Sequence, residues 1–143
     1  CPTDYHRFHF PASGVPSHSR LINGSLFSVS PIALRKNLSY LWENKRMITE
    51  LETRDSGMIL MIDVGATNVG SISQTFAPSQ PVERGDERGY FSFGGSSTLT
   101  LFERGAITLA DDLIEQTNRQ TELYAPFGSF LGTQRPCPVS SPS

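Results

Sequence analysis

Apolar and polar residues alternate in short stretches along this chain, and glycine, proline and acidic residues separate the stretches. Residues 47–52 follow the two-residue period of a β-strand, and residues 58–64 form a run that is apolar except for Asp63. Between them, Arg54-Asp55-Ser56-Gly57 is typical of a turn. We therefore expect a β-hairpin over residues 47–64.

Further short strands and one or two short helices are predicted along the chain. Ser30 and Pro31 indicate a helix start, because serine caps the first turn and proline fits the first helical position; the apolar residues that follow extend this helix to Trp42. The other predicted elements are an extended segment within 1–20, strands at 68–76, 90–93, 98–102 and 122–131, a charged turn at 84–89 and a helical turn at 110–117. This pattern favours a mostly β fold, an antiparallel sheet in a barrel- or sandwich-like domain with one or two short helices.

Length and composition narrow the class of protein. The chain has 143 residues, enough for one hydrophobic core, so we expect one domain at residues 1–132 and a C-terminal tail at 133–143. The formal charge is -2 without a dense Lys/Arg cluster, which argues against a nucleic-acid partner. The longest apolar run is far shorter than the roughly 20 residues of a membrane-spanning helix. Because the chain begins with Cys1 and not Met, we expect it to be part of a longer protein.

Gly94 to Ser97 interrupt two predicted strands with two glycines and two serines. Glycine allows strained backbone conformations and leaves the Gly95 carbonyl unshielded, so the Ser96 hydroxyl is a candidate nucleophile against that carbonyl. Glycine-rich bulges and turns are common between strands, and these four residues alone favour such a structural role.

His6 and His9 lie three residues apart near the start of the chain. Histidine exchanges a proton readily near neutral pH, which makes both of them candidate acid-base groups. Residues three apart on an extended strand point to opposite faces, so the two histidines need not share a role. For either one alone, the favoured role is that of a half-buried histidine bonded to backbone. A zinc site would need a third ligand, such as His18, and no standard spacing supports it.

Small residues follow the apolar run, from Gly65 to Ser71. They are compatible with close approach of the backbone to a ligand, and equally with tight packing and a strand bend. Their spacing is not that of a nucleotide-binding glycine motif.

Five blocks of this sequence together resemble the phosphatidylserine decarboxylase family, in the same order and with similar separations. They are DYHRFHFP at 4–11, NGSLFSVSPIAL at 23–34, LWENKRM at 41–47, VGATNVGSI at 64–72 and RGDERGYFSFGGSSTLTLFERG at 84–105. The resemblance spans most of residues 4–132 and rests on the agreement of all five blocks.

The resemblance implies a chain that cuts itself at Gly95-Ser96 and converts Ser96 into a covalent pyruvoyl group, its cofactor. It also implies that His9 is the base that activates the Ser96 hydroxyl, and that His6 assists decarboxylation and the following proton transfer. The family uses a Ser-His-Asp arrangement whose aspartate lies upstream of the first block. We therefore expect the N-terminal part of the family domain to be missing here, with Asp4 a weak local substitute.

The implied activity is that of a carboxy-lyase that converts phosphatidylserine to phosphatidylethanolamine without metal. Its implied partners are a phospholipid at a membrane surface and the α and β fragments made by the cut; a homodimer is left open. With no spanning segment predicted, we expect a peripheral protein of a bacterial inner membrane or of a eukaryotic organelle membrane.

Three alternatives stay open. Some relatives with a Phe-Gly-Gly-Ser-Ser motif decarboxylate soluble aromatic amino acids, and residues 93–97 fit that motif. The late start of the chain favours a non-catalytic β module that is never processed. A metal-dependent hydrolase using His6 and His9 would need ligands that the sequence does not identify.

Overall fold

The computed structural model describes residues 5–67, 71–92 and 96–135, which form short strands and short helices. The strands are β1 Arg7–His9, β2 Val15–Pro16, β3 Arg20–Ile22, β4 Arg46–Glu52, β5 Met58–Val64, β6 Ile72–Gln74, β7 Glu87–Phe91, β8 Ser97–Phe102, β9 Ile107–Leu109 and β10 Gly132–Gln134. The helices are α1 Pro31–Lys36, α2 Tyr40–Glu43 and α3 Asp111–Asn118. The predicted mostly β fold is confirmed.

Antiparallel pairing joins these strands into sheets. The largest sheet has the order β2-β4-β5-β8, and β3 also pairs with β4. In a second sheet β7 lies between β1 and β6, and β9 pairs with β10 in a third. The predicted hairpin is confirmed as β4 and β5, and Gly57 in its turn has φ +67°, a conformation that glycine adopts without steric cost.

Strand β5 lies at the centre of the core and is buried on both faces. Ile59 and Met61 on one face pack with Leu51 and Phe10. On the other face, Val64 packs with Val29 and with side chains from α1, α2 and β8. A strand covered on both faces requires apolar residues at successive positions, which explains the continuous run in the sequence.

The predicted helix at residues 31–42 is divided into α1 and α2. Its start is confirmed, because the Ser30 hydroxyl accepts a hydrogen bond from the Ala33 amide (3.3 Å). The helix ends early because the Asn37 side-chain oxygen accepts a hydrogen bond from the Ser39 amide (3.0 Å). Such an asparagine turn competes with helical hydrogen bonding.

Three other predicted elements differ from the structure. The charged turn at 84–89 is shorter than predicted, because residues 87–89 already belong to β7 and pair with β1 or β6. The predicted strand at 122–131 is wrong: this segment is exposed, contains a turn at Pro126 to Ser129, and has Gly128 at φ +86°. In the predicted tail, Thr133 and Gln134 form β10 with Gly132. The division at residue 132 stays a prediction.

Candidate active site

Ser96 lies at the entrance to β8, directly before the first residue that pairs with β5. That residue, Ser97, lies opposite Val64, so Ser96 is held beside the end of β5 and is half-buried. The predicted scissile bond joins Ser96 to Gly95, and Gly95 lies outside the described residues together with Phe93 and Gly94.

The end of β5 beside Ser96 is fixed by a buried asparagine. The Asn44 side-chain amide donates to the carbonyl oxygens of Gly65 and Phe27, both at 2.8 Å, and its oxygen accepts from the Phe27 amide at 2.9 Å. A buried side chain with three such bonds holds two backbone segments in one arrangement. The blocks at 23–34 and 64–72, far apart in sequence, therefore meet next to Ser96.

The backbone of His6 is bonded to the end of β7, the strand that precedes Ser96 in the chain. The Phe91 amide, at the end of β7, donates to the His6 carbonyl oxygen at 3.0 Å. The amide of the next residue, Ser92, donates to the Ser71 carbonyl oxygen at 3.4 Å. The structure thus brings the first histidine to the strand end from which the chain runs to Ser96.

His9 lies at the other end of β1, opposite Glu87. A β-bulge between Phe8 and His9 shifts the pairing, so the simple alternation of faces that we expected from His6 to His9 is interrupted. The Nδ1 atom of His9 is 2.9 Å from the Gly85 carbonyl oxygen, and Nε2 is 2.8 Å from the Tyr5 hydroxyl. Both ring nitrogens of His9 are therefore engaged by neighbours other than Ser96.

Two rings contact His9, and together with it they form what we call the aromatic cluster: Tyr5, His9 and Phe127. The Tyr5 and His9 rings are nearly parallel, at 7° with centroids 5.8 Å apart, and the Phe127 ring is tilted against His9 at 4.3 Å. Phe127 comes from the exposed segment after α3, so residues from both sides of the predicted cut contact His9.

A buried ion pair joins the two larger sheets close to Ser96. Arg88 of β7 donates two hydrogen bonds to the two carboxylate oxygens of Asp63 in β5, both at 2.6 Å, and Gln74 donates a third at 3.1 Å. Burial raises the pKa of the Asp63 carboxyl, while the charge and hydrogen bonds of Arg88, and the bond from Gln74, act in the opposite direction. Asp63 lies opposite Thr98, so the pair is two residues from Ser96 along β8.

In residues 5–67, 71–92 and 96–135, no group of three or more His, Cys, Asp or Glu side chains is arranged to hold a metal ion. The metal-dependent alternative therefore gains no ligand set from this part of the chain. No helix among the described residues has the length and apolar character needed to cross a bilayer.

Comparison with known proteins assigns the family. The sequence pattern of the family described as phosphatidylserine decarboxylase matches residues 1–123, a stretch that contains Ser96, His6, His9 and the Asp63–Arg88 pair. The chain belongs to the phosphatidylserine decarboxylase family. The block-by-block resemblance is thereby confirmed.

Relatives from this decarboxylase family align with nearly the whole chain. The phosphatidylserine decarboxylase proenzyme of Desulfitobacterium hafniense is 50% identical over 134 residues, which are 94% of this chain and 45% of the relative. The proenzyme of Chlamydia pneumoniae is 47% identical over 131 residues, 92% of this chain and 44% of the relative. That of Clostridium beijerinckii is 47% identical over 134 residues, with the same coverage as the first. This chain spans less than half the length of these relatives.

Some residues of the candidate site were not found from the sequence. Tyr5 stands inside the first block but carries no motif of its own, and Phe127 lies in a segment that we expected to be a strand. Gly85 contributes a backbone carbonyl, which no side-chain pattern reveals. Asp63 gave one usable signal, since a charge inside an apolar run predicts a buried partner.

Proposed function

We propose that the full-length protein is a phosphatidylserine decarboxylase that first cuts itself between Gly95 and Ser96. The observation that carries this proposal is the position of Ser96, one residue before β8 begins its ladder with β5, within a family match that extends on both sides of the bond. The relatives named as proenzymes are consistent with a processed enzyme.

The cut is an acyl transfer within the chain. A base takes the Ser96 proton, the Ser96 oxygen attacks the Gly95 carbonyl carbon, and the amide becomes an ester. Removal of the α-proton of Ser96 then expels the Gly95 carboxylate and leaves a carbon–carbon double bond at residue 96. Addition of water and loss of ammonia give a keto group at the new N-terminus. The elements of one water molecule enter and one ammonia leaves, so no oxidant is required.

His9 and His6 are the acid-base groups that we propose for the two stages. In neutral His9, Nδ1 must carry its proton toward the Gly85 carbonyl, because a carbonyl can only accept; Nε2 therefore carries the lone pair that a general base needs. Gly85 thus orients the imidazole as the acid of a Ser-His-Asp arrangement does. We assign the later proton transfer to His6, which is backbone-bonded to the end of β7, the strand from which the chain runs to Ser96.

The surroundings of residue 96 fit a pyruvoyl group. The group is no larger than the serine from which it forms, and residue 96 is half-buried next to the small residues Gly65 and Ala66 at the end of β5. When present, it supplies a conjugated carbonyl that accepts the electron pair released with carbon dioxide. The chain's own residues supply the rest: Asn44 fixes the end of β5, and the ladder from Ser97 onward fixes the new terminus.

Exposed apolar side chains on α1 and α2 support action at a lipid surface. Ile32 is 72% exposed and Trp42 57% exposed, and Leu38 between them is also exposed. Arg35 and Lys36 lie in the last turn of α1. Exposed apolar side chains with cations nearby in sequence suit a peripheral protein on an anionic membrane, such as one that contains phosphatidylserine.

The main experiment follows self-cleavage of the full-length protein by intact mass and denaturing electrophoresis. We expect two fragments separated at residue 96, the smaller beginning with a pyruvoyl group. Ser96→Ala should leave the chain whole and without decarboxylase activity, whereas Ser97→Ala, one residue along the same strand, should still cleave. An uncut wild-type chain that still releases carbon dioxide would contradict this mechanism. An uncut, inactive chain would favour a non-catalytic β module.

The substrate is tested on the processed protein. Carbon dioxide release from phosphatidylserine vesicles is expected, and none from tryptophan; the reverse result would favour the soluble aromatic amino-acid alternative. Trp42 is the only tryptophan in this chain, so the fluorescence difference between wild type and Trp42→Phe reports its environment. We expect its emission to shift to shorter wavelength with phosphatidylserine vesicles. Loss of that shift in the double variant Arg35→Gln/Lys36→Gln would support the proposed surface.

A further inference from the structure

We propose that in the uncut chain the Tyr5 hydroxyl donates a hydrogen bond to the proton-accepting nitrogen of His9. This bond restrains self-cleavage until it breaks. This inference rests on the proposed function, in which His9 is the base for Ser96. It adds Tyr5 to that site as a positioning residue that acts through His9.

The hydrogen bonds of His9 determine which nitrogen Tyr5 occupies. The Gly85 carbonyl accepts from Nδ1 at 2.9 Å, so Nε2 of the neutral ring has the free lone pair. The Tyr5 oxygen is 2.8 Å from Nε2, the distance of a good hydrogen bond from a hydroxyl. Tyr5 therefore donates its proton to the same lone pair that would accept the Ser96 proton.

One lone pair accepts one strong hydrogen bond, so Tyr5 and Ser96 compete for it. Before the base can act, its nitrogen must lie within hydrogen-bond reach of the proton it removes. The position within that reach is filled by the Tyr5 oxygen. Cleavage thus requires the Tyr5–His9 bond to break first.

Tyr5 is the partner that can move. His9 is half-buried and is held on its Nδ1 side by the Gly85 carbonyl oxygen at 2.9 Å. Tyr5 is 61% exposed, and its ring lies 6.1 Å from that of Phe127. Rotation of an exposed side chain frees Nε2 without disturbing the bond to Gly85.

The test compares self-cleavage of freshly made full-length precursor in wild type and Tyr5→Phe. Phenylalanine keeps the ring and removes only the hydroxyl. We expect cleavage to be about two- to tenfold faster, the factor that corresponds to one neutral hydrogen bond of about 0.5–1.5 kcal/mol. Tyr124→Phe, on an exposed tyrosine of the segment that also carries Phe127, is the matched control and should cleave at the wild-type rate. A Tyr5→Phe rate equal to or below that of wild type would overturn the inference.

A spectroscopic measurement keeps the inference testable if the precursor does not cleave, a result that would count against the proposed function alone. In a Ser96→Ala background, the nitrogen NMR signals of His9 report its tautomer and the hydrogen bonds at each nitrogen. Tyr5→Phe should shift the Nε2 signal toward that of an unbonded nitrogen and leave the Nδ1 signal in place. An unchanged Nε2 signal would refute the bond on which the inference depends.

Discussion

Removing Arg88 alone is a substitution for which the structure predicts a large loss of stability. Arg88 and Asp63 have side chains that are 2% and 0% exposed, and two bonds of 2.6 Å join them. Arg88→Met fills much of the same space but leaves a carboxylate in the interior without its cation. Breaking a buried ion pair in this way costs about 3–5 kcal/mol, a large share of the roughly 5–15 kcal/mol that stabilises a typical domain.

The assay is chemical denaturation in a Ser96→Ala background, so that every variant stays uncut. Two comparisons test whether the lost stability comes from the buried charge of Asp63 that Arg88 no longer compensates. Arg119→Met removes the cation of an exposed pair on α3, in which the side chains are 63% and 57% exposed, and should cost about 0.5 kcal/mol or less. The double variant Arg88→Met/Asp63→Leu removes both charges and should recover most of the lost stability, because an apolar pair often replaces a buried ion pair without cost.

The pH dependence of Arg88→Met provides a further check. Burial raises the pKa of Asp63, and loss of Arg88 removes the largest effect that lowers it, so the pKa rises further. A carboxyl with a raised pKa in the folded state favours folding below its unfolded pKa of about 3.9 and loses that contribution as the pH rises through the folded pKa. The cost of the substitution should therefore fall as the pH drops through the folded pKa of Asp63, and it should be smallest below about pH 4. A cost that matches that of Arg119→Met at neutral pH would refute the argument.

Three other substitutions probe the surroundings of the site. Gly85→Ala should lower the free energy of unfolding by about 1–2 kcal/mol, because alanine is strained at φ +92°, and it should alter the NMR signals of the aromatic cluster. The control, Gly105→Ala at φ +83° in another turn, should lower the stability equally and leave those signals unchanged. Arg7→Gln should raise the pKa of Glu87, because the hydrogen bond from Arg7 lowers that pKa, and NMR titration of the carboxyl group would measure the change. The stability that this pair contributes is lost as the pH falls through the folded-state pKa of Glu87. Asn44→Leu should cost about 3 kcal/mol or more in denaturation, since three backbone groups bonded to this buried side chain lose their partner at about 1–3 kcal/mol each; a loss below about 1 kcal/mol would contradict it.

Local sequence signals were sufficient for much of the fold. The β4–β5 hairpin was predicted because a strand period, a glycine turn and an apolar run occur in immediate succession. The segment at 122–131 was not, because its aromatic residues satisfy a strand pattern without any partner strand to pair with. Pairing depends on distant residues: β9 pairs with Gly132–Gln134, and the preceding apolar side chains stay exposed.

The candidate site was predicted in part, for a physical reason. Ser96, His6 and His9 could be proposed from the sequence because the chemistry of a motif resides in side chains that the sequence shows; their roles stay predictions. The structure adds the groups that orient the candidate site, and two of them are backbone carbonyls: that of Gly85, bonded to His9, and that of Gly65, bonded to Asn44. Backbone groups are the same at every residue, so only the folded chain reveals which of them a side chain contacts.

The position of the proposed cut explains how this chain can be broken without coming apart. Strand β7 ends at Phe91 in one sheet and β8 begins at Ser97 in another, so in sequence the proposed cut falls between strands of different sheets. After the cut, β8 would stay bound to β5 through six residue pairs from Ser97 to Phe102. Leu99 and Phe102 pack against the cores on opposite faces of that sheet, and burial of such side chains contributes about 1.5–3 kcal/mol each. The ladder would therefore hold the proposed new terminus in register at the end of β5, where Asn44 fixes the backbone.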